Sequence, residues 1–302
     1  MTKFLSAILF ILLVLIVGFR VQGQQLEISA GYLSRSAFTD KQKVSYGKGE
    51  LYRIGLKYNQ PLSVKLNDYG EPILWTASIQ GSLYDLRGSG EAATQNPDDI
   101  LNASVNVTHI RPLSERWSII ATLGFGIYSA PDEISWSSVL ANGGCLFIYK
   151  VNDIFSIGGG IGLTNAYGTP MVVPMTYVKW NPKGRLEFDL NISSGIKASA
   201  QTWFGQNFKL RWNLLEMEGI TSVIKMEGKN RLYSSMMLSS YLTPSFYFNK
   251  KLSIFLDAGV DMVRTCKITD RKIKYIFGGQ KDEDKRHFRP AGKLGVGVRY
   301  GF

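Results

Sequence analysis

Twelve charged residues stand at alternate positions of segments whose intervening residues are apolar: Arg53, Lys57, Arg185, Glu187, Asp189, Lys197, Lys209, Arg211, Asp257, Asp261, Lys293 and Arg299. A strand sends successive side chains to opposite faces, so charges spaced by two line one face. In a water-filled passage such a face selects solutes by charge, and eight bases against four acids favour anions weakly. The same charges can instead lock a lumen as ion pairs, for example Asp189 with Lys197, and Asp257 or Asp261 with Lys293 or Arg299. The spacing leaves both readings open.

Catalysis has less to work with. General base chemistry at neutral pH most often uses histidine, and the chain has two. His109 falls on the apolar phase at the end of a strand, which suits an interfacial residue better than a base. His287 closes the charged run Lys281-Asp282-Glu283-Asp284-Lys285-Arg286-His287, where a solvated loop explains the composition without a rim protease. The acids there lack the oxygen-ligand spacing and glycine of a calcium loop, so no metal is expected. Gly124-Phe125-Gly126 and Gly158-Gly159-Gly160-Ile161-Gly162 precede no helix and so make no nucleotide loop, which leaves crowding on the inward face as their reason. The sequons at Asn102, Asn106 and Asn191 read as inward polar residues, and no cofactor is expected.

The elements that position these residues are strands. Period-two alternation recurs after residue 24, as in Trp117-Ile119-Ala121-Leu123-Phe125-Ile127 opposite Ser118-Ile120-Thr122-Gly124-Gly126. Strands are expected near 26–33, 50–58, 72–83, 101–110, 117–127, 138–149, 154–163, 170–180, 185–193, 196–204, 207–217, 231–247, 251–263 and 290–302. Compact turns at 112–116, 151–153, 181–184, 205–206 and 249–250 alternate with longer connections at 34–49, 84–100, 128–137, 218–230 and 264–289. That alternation is the anatomy of an all-β, antiparallel up-and-down transmembrane barrel of about fourteen strands, with the short side periplasmic and the basic 264–289 segment outside the cell. The 59–71 and Ser194-Gly195 links fit the parity poorly, so twelve strands is the alternative. Tyr58, Trp117, Tyr149, Phe155, Trp180, Phe208, Phe248, Tyr300 and Phe302 gather near the short turns, as an interfacial girdle would. The closing strand puts Leu294, Val296, Val298, Tyr300 and Phe302 on one face, the form of an insertion signal. A soluble exported sandwich is the competing architecture, but its loops show no short–long alternation.

Lys3 followed by an uncharged apolar run to Phe19 and then Val21-Gln22-Gly23 reads as a cleaved signal over residues 1–23, leaving one barrel domain over 24–302. Cleavage removes two bases and no acid, so the net charge falls from +11 to +9. That surplus suits anionic lipid and lipopolysaccharide, whereas an exported chain with dispersed bases has no nucleic acid to meet. Cys145 and Cys266 lie on distant segments, so both are expected as free thiols facing lipid or lying in a loop.

The segments Ile148-Tyr149-Lys150-Val151-Asn152-Asp153, Gly158-Gly159-Gly160-Ile161-Gly162-Leu163 and Tyr167-Gly168-Thr169-Pro170-Met171-Val172-Val173-Pro174 resemble a family of uncharacterised outer-membrane barrels common in the Bacteroidota. The resemblance implies location and fold and transfers no site. The expected function is that of a monomeric passive pore or small-molecule transporter with a polar, mildly basic lumen. A non-conducting structural or assembly-associated barrel is the second reading and a rim enzyme the third. The expected partners are outer-membrane lipid, lipopolysaccharide and the barrel insertion machinery.

Overall fold

The computed structural model describes residues 23–164, 171–182, 186–191, 196–226, 228–270 and 286–301. The signal segment 1–22, Arg185, the run Lys281 to Lys285 and Phe302 lie outside these described residues. The first half of the sheet comprises β1 (Gln25–Thr39), β2 (Ser45–Leu66), β3 (Pro72–Gly90), β4 (Asp99–Pro112), β5 (Trp117–Ser129), β6 (Val139–Asn152) and β7 (Phe155–Thr164). The second comprises β8 (Met171–Trp180), β9 (Leu186–Asn191), β10 (Ile196–Phe204), β11 (Phe208–Met226), β12 (Lys229–Tyr247), β13 (Leu252–Thr265), two short pieces β14 (Lys267–Asp270) and β15 (His287–Phe288), and β16 (Ala291–Tyr300). A single short helix, α1 (Glu91–Gln95), follows β3 among the described residues.

Each long strand pairs antiparallel with its chain neighbour, and β1 closes on β16 from Leu26 opposite Tyr300 to Leu33 opposite Lys293. The result is a closed fourteen-strand barrel, which settles the count against twelve. The pairing also carries the alternation intact from strand to strand. Val105 lies opposite Phe125, Phe125 opposite Ala141, and Leu256 opposite Val296, all on the outer face. That face is apolar and bare: Leu123 is 74% exposed and Phe125, Ile161, Leu256 and Leu294 are likewise exposed. A soluble sandwich would bury these residues. A closed sheet with an apolar belt leaves no backbone group unpaired in lipid, and such a barrel belongs in the outer membrane.

The strands are longer than the alternation alone suggests. Connections expected at 34–49 and 84–100 are mostly strand, with β1 and β2 joined by a turn at 40–44 and β3 running on to Gly90. The awkward 59–71 link is resolved in the same way. The β2–β3 hairpin extends to Leu66 and turns through Asn67–Glu71, where Asn67 Oδ1 accepts hydrogen bonds from the Tyr69 and Glu71 amides at 3.0 and 2.8 Å and Gly70 supplies a φ of 75°. These extensions have no lipid on one face: Phe38, Tyr84 and Leu86 enter the buried outer core while Leu62, Val64 and Leu66 are exposed, so their apolar residues fall out of step with the period of the membrane-spanning strands.

At the short-turn end the ring centroids of Trp117 and Tyr149 lie 4.9 Å apart and Trp75 stacks on His109 at 4.1 Å on the outer face, while Trp203 and Tyr247, 4.9 Å apart, lie on the inward phase beside Lys209. Tyr58 departs from the expected girdle: it is buried and its hydroxyl donates to Gln60 at 2.6 Å. At the opposite end the barrel interior is packed. Leu33, Phe38, Leu51, Tyr84, Leu86, Ala92, Ile100, Ile220, Tyr233, Met237, Cys266 and Phe288 form one buried cluster beneath α1. Neither cysteine is in a disulfide, as expected, and Cys266, in the one-residue link between β13 and β14, is buried in this core.

Candidate functional site

The lumen is built by the inward phase of the strands. On one side β3 to β6 contribute hydroxyls and amides, among them Ser78, Gln80, Ser104, Asn106, Thr122 and Asn142. On the other, β2 and β8 to β11 contribute charges. Between them lies a cavity of about 640 Å³, lined by Arg53, Lys57, Asp189, Lys197, Glu216 and Glu218 together with the polar wall. Inward glycines keep it open where a side chain would collide: a Cβ at Gly144 would come within 2.7 Å of the Met175 sulfur, and one at Gly124 would run into the Asn106 side chain.

The structure gathers the sequence-expected charges but pairs them differently. Lys197 Nζ meets Glu216 at 2.8 Å, not Asp189, because the register sets Lys197 opposite Glu216 on β11 while Asp189 faces Ser199. Arg299 Nε donates to Glu27 at 2.7 Å, and these two residues are direct partners across the closing β1–β16 seam. Asp257 and Asp261 face Gly295 and Ala291 on β16, so neither reaches Arg299 or Lys293 as an ion pair. They accept instead from Thr243 at 2.6 Å and Ser239 at 3.0 Å. Glu187 accepts from Gln201 at 2.5 Å, and Gln201 accepts from Arg211 at 2.9 Å. Lys209 lies 5.3 Å from the Trp203 ring and Lys293 4.1 Å from the Tyr241 ring, while Lys57 lines the cavity. Arg185 lies outside the described residues.

Three inward acids escaped the sequence reading: Glu27, Glu216 and Glu218. Glu27 sits plainly in the β1 alternation. Glu216 and Glu218 are displaced from the phase of Lys209 and Arg211 by a bulge between Asn213 and Glu216, which turns the next residues inward. The adjacent Leu214-Leu215 doublet is the signal that marks such a slip. With these acids the lumen is close to neutral: seven acids balance the seven described bases expected from sequence, and Lys179, opposite Asp189, adds one more base. Arg264, buried against Phe288, adds another, so the bases still exceed the acids, by less than eight to four.

Beyond Met217, β11 leaves the barrel wall. Its segment Ile220–Val223 is buried on both faces, and Val223 makes a parallel bridge to Ser129 of β5, on the far side of the lumen. Arg53 of β2 reaches Glu218 at 3.6 Å from the opposite wall. The 218–226 stretch expected as an external loop is thus the inward-folded arm of the β11–β12 hairpin. His109 faces outward, stacked on Trp75. His287 lies in β15 between β1 and β13, opposite Thr39 and Thr265, and not in a solvated loop. Among the described residues no three metal-ligating side chains come together.

A family model described as a domain of unknown function (DUF6268) matches residues 20–301. Among solved structures, an outer-membrane channel from Pseudomonas putida F1 is similar over 93% of this chain and 96% of its own, at 9% identity and a TM-score of 0.46. The NanC porin is similar over 91% and 98%, at 10% identity and a TM-score of 0.37. The outer-membrane protease OmpT from Escherichia coli is similar over 95% and 99%, at 8% identity and a TM-score of 0.28. No curated protein matches the chain.

Proposed function

This chain belongs to the DUF6268 family, and we propose that within it the barrel is a passive pore for small hydrophilic solutes, taking uncharged or zwitterionic molecules in preference to anions. The observation that carries this reading is the lumen cavity of about 640 Å³, walled by amides and hydroxyls on one side and by matched charges on the other. A polar, hydrated wall lowers the barrier for a hydrogen-bonding solute, and near-balanced charge weakens the field that would sort ions by sign. The role is passive and not catalytic, consistent with His109 outside the barrel and His287 within a strand ladder. Around the belt the partners of this reading are outer-membrane lipid and lipopolysaccharide, with the insertion machinery reading the strand that carries Val298, Tyr300 and Phe302.

The packed cluster under α1 favours a second reading, a non-conducting structural barrel. Planar-bilayer recording separates the two. The pore reading expects discrete steps with a cation-to-anion permeability ratio near one, moving toward cations in a Lys57→Glu variant. A correctly inserted barrel that stays silent even when its lumen is cleared supports the structural reading.

A further inference from the structure

We propose that the β11–β12 hairpin is the gate of this barrel and that the structure shows it shut. The inference rests on the pore reading above and names its regulation.

The hairpin crosses the outer lumen, giving Ile220, Tyr233 and Met237 to the large core and meeting a smaller apolar cluster beside it. Four side chains meet there: Tyr128 of β5 and Leu140 of β6 from the wall, Val223 of β11 and Leu232 of β12 from the hairpin. Tyr128 also lines the polar cavity beneath, while Val223 lines a second cavity of about 430 Å³ on the outer side, with Asp132, Glu133 and Lys225. The apolar cluster is therefore the partition between an inner polar chamber and an outer charged vestibule. An apolar constriction of this kind stops water and solutes.

The hairpin is equipped to move as a unit. Its own ladder is continuous from Glu216 opposite Ser239 to Met226 opposite Lys229. Its root is weakened at one level by three register shifts, at Ala198/Ser199 between β10 and β11, at Asn213/Glu216 between β11 and β12, and at Leu238/Ser239 between β12 and β13. Bulges bend strands and interrupt ladders, so three at one level form a line about which the arm can swing. Across the lumen the arm is held by the Val223–Ser129 bridge, the half-exposed Arg53–Glu218 pair at 3.6 Å, the Asn102 carboxamide nitrogen donating to the Thr221 carbonyl at 2.6 Å when oriented by its hydrogen-bond network, the Tyr233 hydroxyl donating to Asn96 at 2.7 Å, and the packing of Ile220, Tyr233 and Met237 in the large core. The closed arm also buries the Ser222 hydroxyl without a partner, a cost relieved when the arm moves toward water.

The test uses the full-length barrel with Cys145 and Cys266 replaced by serine, carrying Ser129→Cys and Val223→Cys. Bridged strand residues lie within disulfide reach. Oxidation should cross-link the pair, and the oxidised barrel should be silent in planar bilayers, with steps returning on addition of reductant. Independently, Leu232→Ser should raise the open fraction about tenfold or more, since it removes one buried aliphatic side chain from the closed state. Equal conductance of the oxidised and reduced barrels, or failure of the cysteines to cross-link in folded protein, overturns the gate while leaving the pore. A third variant, with residues 218–237 replaced by an Asn-Gly turn, keeps the two ideas apart. Conduction by it alone, with the oxidised and reduced barrels equally silent, means a fixed plug and overturns the gate while leaving the pore, and silence from it sinks the pore reading and the gate together.

Discussion

Glu216 is the residue on which the interior turns. Its carboxylate is buried, accepts from Lys197 Nζ at 2.8 Å and from the Tyr241 hydroxyl, and stands where β11 leaves the wall. A buried carboxylate stripped of its cation keeps its desolvation cost without the offsetting attraction, although Lys197 is 40% exposed, so water recovers part of the loss. Lys197→Met is expected to destabilise the barrel by about 2 kcal/mol, and Tyr241→Phe by about 1 kcal/mol. The double variant Lys197→Met with Glu216→Gln should recover most of the first loss, because no uncompensated charge remains. Denaturant unfolding in liposomes reads all three, and simple additivity of Lys197→Met and Glu216→Gln would mean that the pair is not coupled.

The elements make the alternation testable. Leu190 of β9 lies between Val178 and Ala198 on the outer face, whereas Asp189 beside it lines the cavity. Leu190→Arg is expected to cost about 2 to 4 kcal/mol by placing a charge in lipid, and Asp189→Asn less than about 1 kcal/mol. Equal losses would invert the phase of β9. Phase is the part of this fold that sequence carries well: wherever lipid faces one side and water the other, as in β5, β7, β9, β13 and β16, the period of two survives and places the inward charges correctly. It fails where that contrast disappears. The extensions of β1 and β3 bury Phe38, Tyr84 and Leu86 in the outer core with no lipid on the other face, and β11 from Ile220 to Val223 is buried on both, so each reads as a loop. The ion pairs were illegible for another reason, since partner choice depends on registers that bulges shift by one residue, as at Ala198/Ser199 and Asn213/Glu216. Glu27 and Lys179 stand in unbroken alternation and are legible in the sequence.

At the scale of the whole molecule, an even number of strands returns the chain to the side on which it began, so Gln25 and Tyr300 share the end that carries the tight turns and the aromatic pairs. The other end carries α1, the buried outer core and the two vestibules, in which Asp98, Asp99, Asp132 and Glu133 gather around Lys225. Translocated barrels place both termini and short turns in the periplasm, so the turn at 130–135 is expected at the cell surface. That turn is exposed at Asp132 and Glu133 and bounded by the ends of β5 and the 3-10 turn at Trp136–Ser138, so an insertion there disturbs no ladder. A short epitope placed between Pro131 and Asp132 should be labelled on intact cells, and one placed between Asp68 and Tyr69, in the β2–β3 turn, only after permeabilisation. The reverse pattern would turn the barrel over in the membrane. It would put the gate and its acidic vestibules on the periplasmic side, and solute would then meet the polar chamber first from outside.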